Sequence, residues 1–453
     1  MKAEGIGPDP HRTGRRALVA AYARGAAVLP DVLWAPRLPR AVFQRRARRR
    51  LLETVLHARR HSPHYRETLR CVDLDAVGQG DLSSVPLLDK STLRDRGERL
   101  LAKGVDPSRL AMRSSSGSSG VPTRVYFDPL RELPRRVQEL RMLRAHGWVP
   151  TDRQLVFDHP GHLNQGRFLL QRMGLWRRVP YPWQAPTDEG LRFVEDGRYE
   201  VLHGVLSSLR LLALAAAARG GLRYRPKLLL SKGELLDEAT REHVERALGA
   251  PLVDYYATEE VGIIAWQPPG ERRYAIDADL VHVEVINPLT GAPLPVGQRG
   301  EVVVSSLSMR AMPILRYRTG DFAVLSPTPH PMLGLPMLRE LTGRAMDFVL
   351  APDGTVHHPF ALLGPLEDAP ELVGYRVCQT DVHRIEVHVR FKSDVPRDAV
   401  EARIREAYRA RLGDAVEVMF RPLEQTPSIG RKDPLVRGMG LSADALAGRE
   451  VRL

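Results

Sequence analysis

Between residues 227 and 262 the chain spells a unit that few folds accommodate. "KLLLS" is a short apolar run of strand length. "KGELLDEATREHVERALG" follows, rich in helix formers and stopped by Gly249. "PLVDYY" is a second strand candidate and runs into "ATEEVG". Strand, helix and strand within about 30 residues make a βαβ unit, whose two strands lie parallel. Parallel strands end at the same sheet edge, and open α/β sheets bind ligands there. "SKGE" and "YATEE" are therefore expected side by side, at an edge built to hold something.

The remaining segments set the fold class. The basic run "FQRRARRRLLETVLHARRHSPHY" has apolar residues near helical spacing and stops at Ser62-Pro63. Asp89 or Ser91 is a cap for a short helix in "LSSVPLLDKSTLRDRGERLLAKG". "VLSSLRLLALAAAARGG" reads as a buried helix ending at a glycine pair. From residue 280 the pattern turns β-rich: "LVHVEVIN", "EVVVSS", "PILRYRTGD" and "FAVLS" are antiparallel strands joined by tight turns. The last stretch separates as a small α+β piece. There "HRIEVHVRF" alternates strictly, "PRDAVEARIREAYRARLG" is an amphipathic helix and "VEVMFRPL" is another strand.

Composition narrows the function classes. A chain of 453 residues exceeds one ordinary core and predicts about two to three domains. Its 43% hydrophobic content supplies enough apolar material to fill them. Cys71 and Cys378 fit no metal-ligand spacing and no disulfide framework, which suits a reducing cytoplasm. "ALVAAYARGAAVL" is too short to span a bilayer and is broken by Arg24, so neither a targeting segment nor a membrane span is expected. The net charge of +13 is densest in "RRARRR", read first as a solvated helix face and second as steering for anionic ligands. No nucleic-acid reader module is visible, and nucleic acid is not an expected partner.

"RSSSGSSGVPTRVYFD" sets Ser115, Ser116, Gly117, Ser118, Ser119 and Gly120 in a row just before a strand. Such a stretch is either a linker or an anion cradle. Glycines let the backbone approach a phosphate, and amides and hydroxyls donate to it. No Walker lysine is present. "DYYATEE" adds a carboxylate, Glu259, past a strand end. A carboxylate facing bound phosphates needs a cation between them, which suggests Mg²⁺. Asp321, in "YRTGD", either caps a turn or accepts two ribose hydroxyls. Arg344, in "GRAMD", either pairs on the surface or serves the site, and Lys432, in "TPSIGRKD", is either a solvated lysine or a catalytic one. His159 and His162 form an HxxH pair for which metal binding is the lesser reading.

The order and spacing of these segments together resemble the adenylate-forming superfamily of acyl-CoA synthetases, adenylation domains and luciferases. Within it they are most similar to the phenylacetate–CoA ligase branch and the capsule-cluster proteins near it. "SSSGSSGVPT" looks like the family's phosphate loop, with Thr123 where many relatives carry Lys, and "YYATEE" like its Tyr-Gly-x-Thr-Glu motif, with Thr258 at the threonine. "VEVINPLTGAPLPVGQRGEVVVSSL" and "MPILRYRTGD" match nearly position by position. "YEVLHGVLSSLRLLALA" looks like the helix near the acyl pocket. The likeness runs from roughly residue 55 to 435.

The resemblance implies an α/β fold: a large N-terminal adenylate-forming domain with a β-rich subdomain, and a small, mobile α+β C-terminal lid. Residues 1–70 would be a basic helical segment of the large domain, 71–343 its ATP- and acyl-binding body, and 344–453 the lid. It implies ATP, Mg²⁺ and CoA as cofactors and co-substrate. A small or aryl carboxylic acid would attack the α-phosphorus of ATP to give an acyl-adenylate and pyrophosphate. An acceptor, by default the CoA thiol, would then displace AMP. A carrier-protein thiol or an amine as acceptor, a non-carboxylate acid and an inactive scaffold stay open, as does a homodimer. In this reading the serine–glycine loop holds the β/γ-phosphates, Glu259 holds Mg²⁺, and Lys432 sits between the reacting oxygens. Tyr255 stacks on adenine beside Gly233 and Glu234, and Asp321 holds the ribose with help from Arg344. His159, His162, Asn164, Tyr256 and Trp183 lie toward the acyl group.

The chain also departs from the family pattern. Tyr256 stands at the motif's glycine and Met346 at the hinge position. "APDGTVHHPF" stands where an Arg-Gly pair usually leads to the pantetheine contact. Gly430-Arg431-Lys432 puts the lysine one place late, so the lid cation is open between Lys432 and Arg431.

Overall fold

The computed structural model describes residues 23, 27–115, 123–128, 133–158, 171, 173–182, 187–234, 236, 238–287, 290–342, 349–357, 359–423, 436–439 and 451–452. They divide into two compact units. One holds those up to 115, of 123–149 and of 253–342; the other holds those of 150–252 and of 343–453. The expected strand–helix–strand run forms as Leu228–Lys232, Glu238–Leu248 and Leu252–Thr258. Gly249 ends the helix at φ +72°, a left-handed conformation that glycine takes without steric cost.

In the first unit an antiparallel sheet runs, in spatial order, Val281–Ile286, Arg299–Ser306, Tyr317–Leu325, Met337–Thr342, Tyr274–Ile276, Gly262–Trp266 and Leu252–Thr258. The helix Arg40–His61 lays Leu51, Val55 and Ala58 on this sheet's core with Ile264, Val302 and Val304. It stops at Ser62 because Pro63 disfavours a helical residue before it, and Ser62 is extended at φ −90° and ψ 128°. Asp89 caps the helix Lys90–Asp95 by accepting from the Thr92 amide at 2.6 Å, and the Ser91 hydroxyl donates to the same carboxylate at 2.7 Å. A separate hairpin, Ala111–Ser115 with Thr123–Phe127, has Ser115 opposite Thr123 and so brackets the serine–glycine stretch.

A buried ion network fixes the helix Leu133–Ala145 to the first unit's sheet. Arg141 donates to Asp277 at 2.6 Å and to Asp279 at 2.8 Å, and its side chain also reaches the Val32 carbonyl. Gln138 and Trp266 complete the Asp277 carboxylate at 2.7 and 3.1 Å. Burial works against the Arg141 charge, but the two aspartates outweigh it and hold the guanidinium protonated.

In the second unit the strands Leu228–Lys232, Val201–Val205, Arg153–Asp158 and Arg177–Pro182 are parallel neighbours in that order. The helices Thr187–Gly197, Leu206–Ala217 and Glu238–Leu248 share a core with them around Leu155, Leu202, Leu209, Leu229 and Val244. Strands covered on both faces read as continuous apolar runs, as "KLLLS" does. Described residues from 349 to 418, with Val436, enclose a core of their own, in which Ile385 and Val387 of the strand Arg384–Phe391 meet Ile404 and Tyr408 of the helix Arg397–Leu412. This is the expected small α+β piece. Among the described residues no helix is long and apolar enough to cross a membrane.

Candidate nucleotide site

The acidic motif follows the strand Leu252–Thr258, which pairs with Gly262–Trp266. The register slips between Tyr256 and Ala257, and such a bulge re-aims the side chains around it. Tyr255 and Tyr256 are buried there. Beyond the strand the Val261 amide donates to the Thr258 hydroxyl at 3.2 Å and shapes the turn that presents Glu259. The Glu259 carboxylate is 45% exposed and pairs loosely with Arg113 at 3.5 Å. Arg113 lies on the hairpin strand that leads into the serine–glycine stretch, with its guanidinium over the Phe127 ring. The hairpin and the acidic motif, far apart in sequence, thus meet through this pair.

Asp321 was expected after a glycine turn that separates two strands. The structure corrects this: Tyr317–Leu325 is one continuous strand. Its pairing with Arg299–Ser306 slips between Glu301 and Val303, which leaves Thr319, Gly320 and Asp321 in an irregular stretch, with Gly320 at φ +70°. A glycine in the left-handed region lets a strand absorb an extra residue without ending. The irregularity turns Asp321 inward, where it is 7% exposed and accepts a hydrogen bond from the Tyr256 hydroxyl at 2.7 Å. A second link joins the same two segments, since the Tyr317 hydroxyl donates to Glu260 at 2.9 Å. The strands of Tyr256 and Asp321 are not sheet neighbours, so the sheet curls to bring these side chains together.

Gly233 sits at φ +81° just after the strand Leu228–Lys232, a conformation that suits glycine. Glu234 is engaged by the protein itself. It accepts from the Ser207 amide at 2.8 Å and the Ser207 hydroxyl at 2.6 Å, at the start of the helix Leu206–Ala217, whose N-cap residue Val205 offers no capping side chain. Ser207, Arg113 and the Tyr317–Glu260 link were not singled out from sequence. Ser207 at an uncapped helix start was the one with a readable signal.

Ser116, Gly117, Ser118, Ser119, Gly120, His159, His162, Asn164, Trp183, Arg344, Met346, Arg431 and Lys432 lie outside the described residues. Of Ser115 only the backbone is described. Among the described residues no group of three or more His, Cys, Asp or Glu side chains could hold a metal. A Mg²⁺ ion held by one carboxylate and the phosphates of its nucleotide needs no such group. Glu259 fits that demand, being half-exposed. Thr123 fits a polar ligand at the exit of the loop, because its hydroxyl is buried and finds no hydrogen-bond partner among the described residues.

No family model matches the chain. It is 27% identical over 320 residues to a phenylacetate-coenzyme A ligase of Aromatoleum evansii, covering 66% of this chain and 70% of that protein. It is 26% identical over 367 residues to the enzyme of that name from Pseudomonas putida, covering 76% and 81%. Among solved structures, a 2-hydroxyisobutyryl-CoA ligase in complex with 2-HIB-AMP and CoA, in the thioesterification state, aligns with TM-score 0.63 and 18% identity over 90% of this chain and 92% of that one. An open conformation of that ligase aligns with TM-score 0.58 and 19% identity over 87% and 92%. The chain is thus similar in sequence to phenylacetate-coenzyme A ligases and shares its fold with the solved 2-hydroxyisobutyryl-CoA ligase.

Proposed function

We propose that the protein activates a carboxylic acid with ATP, releasing pyrophosphate, and then passes the acyl group to the thiol of CoA. The observation that carries this reading is the meeting, within one unit, of "YYATEE" and "YRTGD" through the Tyr256–Asp321 hydrogen bond. It brings together two motifs that the resemblance assigns to one nucleotide, in a chain whose relatives are named as phenylacetate-coenzyme A ligases.

Attack of a carboxylate on a polyphosphate brings like charges together, so the site must supply positive charge and fixed donors. In this reading Asp321 accepts ribose hydroxyls, Tyr255 flanks adenine, and Thr123 and the serine–glycine stretch donate to phosphate oxygens. Glu259 would hold Mg²⁺, which neutralises charge on the phosphates when bound. Arg113 neutralises Glu259 when no cation does. Lys432 would bring a positive charge to the reacting oxygens and Arg344 would help hold the ribose. By the resemblance alone, Glu234 would be assigned to adenine.

The test is pyrophosphate release from ATP and Mg²⁺ with a panel of aryl and small acyl acids, with and without CoA. One acid of the panel should release pyrophosphate, and CoA should raise turnover by removing the adenylate. Lys432→Ala should slow the pyrophosphate burst by about 100-fold or more, the scale of losing a preorganised group that stabilises developing charge. It should leave ATP binding intact. A burst of unchanged rate in that variant would remove Lys432 from the mechanism.

A further inference from the structure

Residue 256 is the place where the chain replaces the resemblance's glycine with a full aromatic side chain. The side chain is buried, and its hydroxyl reaches one oxygen of Asp321, Oδ2, at 2.7 Å. The Asp321 backbone is held as well. Its amide donates to the Thr319 hydroxyl at 3.0 Å, and that hydroxyl donates to the Val302 carbonyl at 2.8 Å. A glycine at 256 could not supply this donor. The phenol there limits how the carboxylate turns about its own side-chain bonds.

We infer that Tyr256 is a positioning residue for nucleotide recognition: its hydroxyl fixes the Asp321 carboxylate in the orientation that receives the vicinal diol of a ribose. This rests on the reading of Asp321 as the ribose acceptor. Burial raises the Tyr256 phenol well above its ordinary range, and the neighbouring Asp321 charge adds to it, so the group stays a donor at neutral pH. A carboxylate with one oxygen already bonded has less orientational entropy to lose when a diol binds, and that preorganisation appears as affinity rather than as rate.

The experiment is direct titration of the intact protein with ATP and with 2′,3′-dideoxy-ATP, for the wild type and Tyr256→Phe, with a melting curve for each. Phenylalanine keeps the packing and removes only the hydroxyl. The wild type should prefer ATP. In Tyr256→Phe the ATP affinity should fall about tenfold, the scale of one hydrogen bond to a charged group. The preference over the dideoxy nucleotide should shrink with it. In turnover the effect should fall on KM for ATP, with kcat nearly unchanged.

A Tyr256→Phe protein that melts lower but keeps wild-type affinity and preference would make Tyr256 merely structural and overturn the inference. A wild type that binds both nucleotides alike would overturn it together with the ribose role of Asp321. A wild type that prefers ATP, with a variant that loses the preference, supports the inference even if no acid in the panel releases pyrophosphate. In that case the proposed reaction fails alone.

Discussion

Asp277 and Asp321 are buried carboxylates in the same unit, 0% and 7% exposed, and they are satisfied in opposite ways. Asp277 meets the guanidinium of Arg141 at 2.6 Å and two further donors, the Gln138 amide and the Trp266 indole. Its charge is matched by a fixed cation, and the whole group is sealed. Asp321 accepts from the phenol of Tyr256, a donor that carries no formal charge of its own. Desolvating a carboxylate beside its cation yields a structural tie, and removing either partner leaves an uncompensated charge. A neutral donor can orient a carboxylate without neutralising it. Glu259 instead forms an exposed ion pair with Arg113, whose side chain is 42% exposed, and such pairs contribute little to stability.

The sharpest way to break this contrast is to remove the cation of the sealed group. Arg141→Met should cost about 3–5 kcal/mol of folding stability, the scale for orphaning a buried charge. Denaturant unfolding would read it, and nucleotide affinity per folded molecule should stay the same. Asp321→Ala should show the reverse pattern. ATP affinity should fall about 10- to 100-fold by titration, from the loss of hydrogen bonds to a charged group, with a smaller loss of stability than in Arg141→Met. If the two variants gave the same pattern, the division between a structural and a binding carboxylate would fail.

A third test takes a part-buried base, His282. Burial pushes the His282 imidazole down from its ordinary 6.5 to about 4, and the Arg316 charge adds to the push. The unfolded chain therefore takes up a proton first as the pH falls. Stability from neutral His282 is fully present above about pH 6.5 and is lost progressively toward pH 4, to a limit of about 3 kcal/mol. His282→Gln should flatten that part of the acid-side fall in melting temperature. A slope identical to the wild type would show that His282 does not titrate with folding.

The local elements were legible because they are written in short-range chemistry. The βαβ run, the stop at Ser62-Pro63, the Asp89 cap and the alternating strand Arg384–Phe391 each follow from spacing, turn residues or burial pattern within a few positions. The site was legible in part, since Glu259 and Asp321 announce themselves as carboxylates beside glycine or a strand end. Their partners were not, because nothing near Tyr256 names Asp321 and nothing near Glu259 names Arg113. The glycine in "YRTGD" was misread as a turn. Glycine at positive φ serves a turn and a bulge equally, and only the pairing of Tyr317–Leu325 with its neighbour strand decides between them.

The sequence by itself therefore determined the elements, the fold class and the residue types of the site, since backbone propensity and hydrophobic period act over a few residues. The tertiary structure alone decided which carboxylate is locked to a cation and which is held by a phenol. That choice depends on the curl of a sheet whose strands lie far apart along the chain, and on side chains that meet only after it closes.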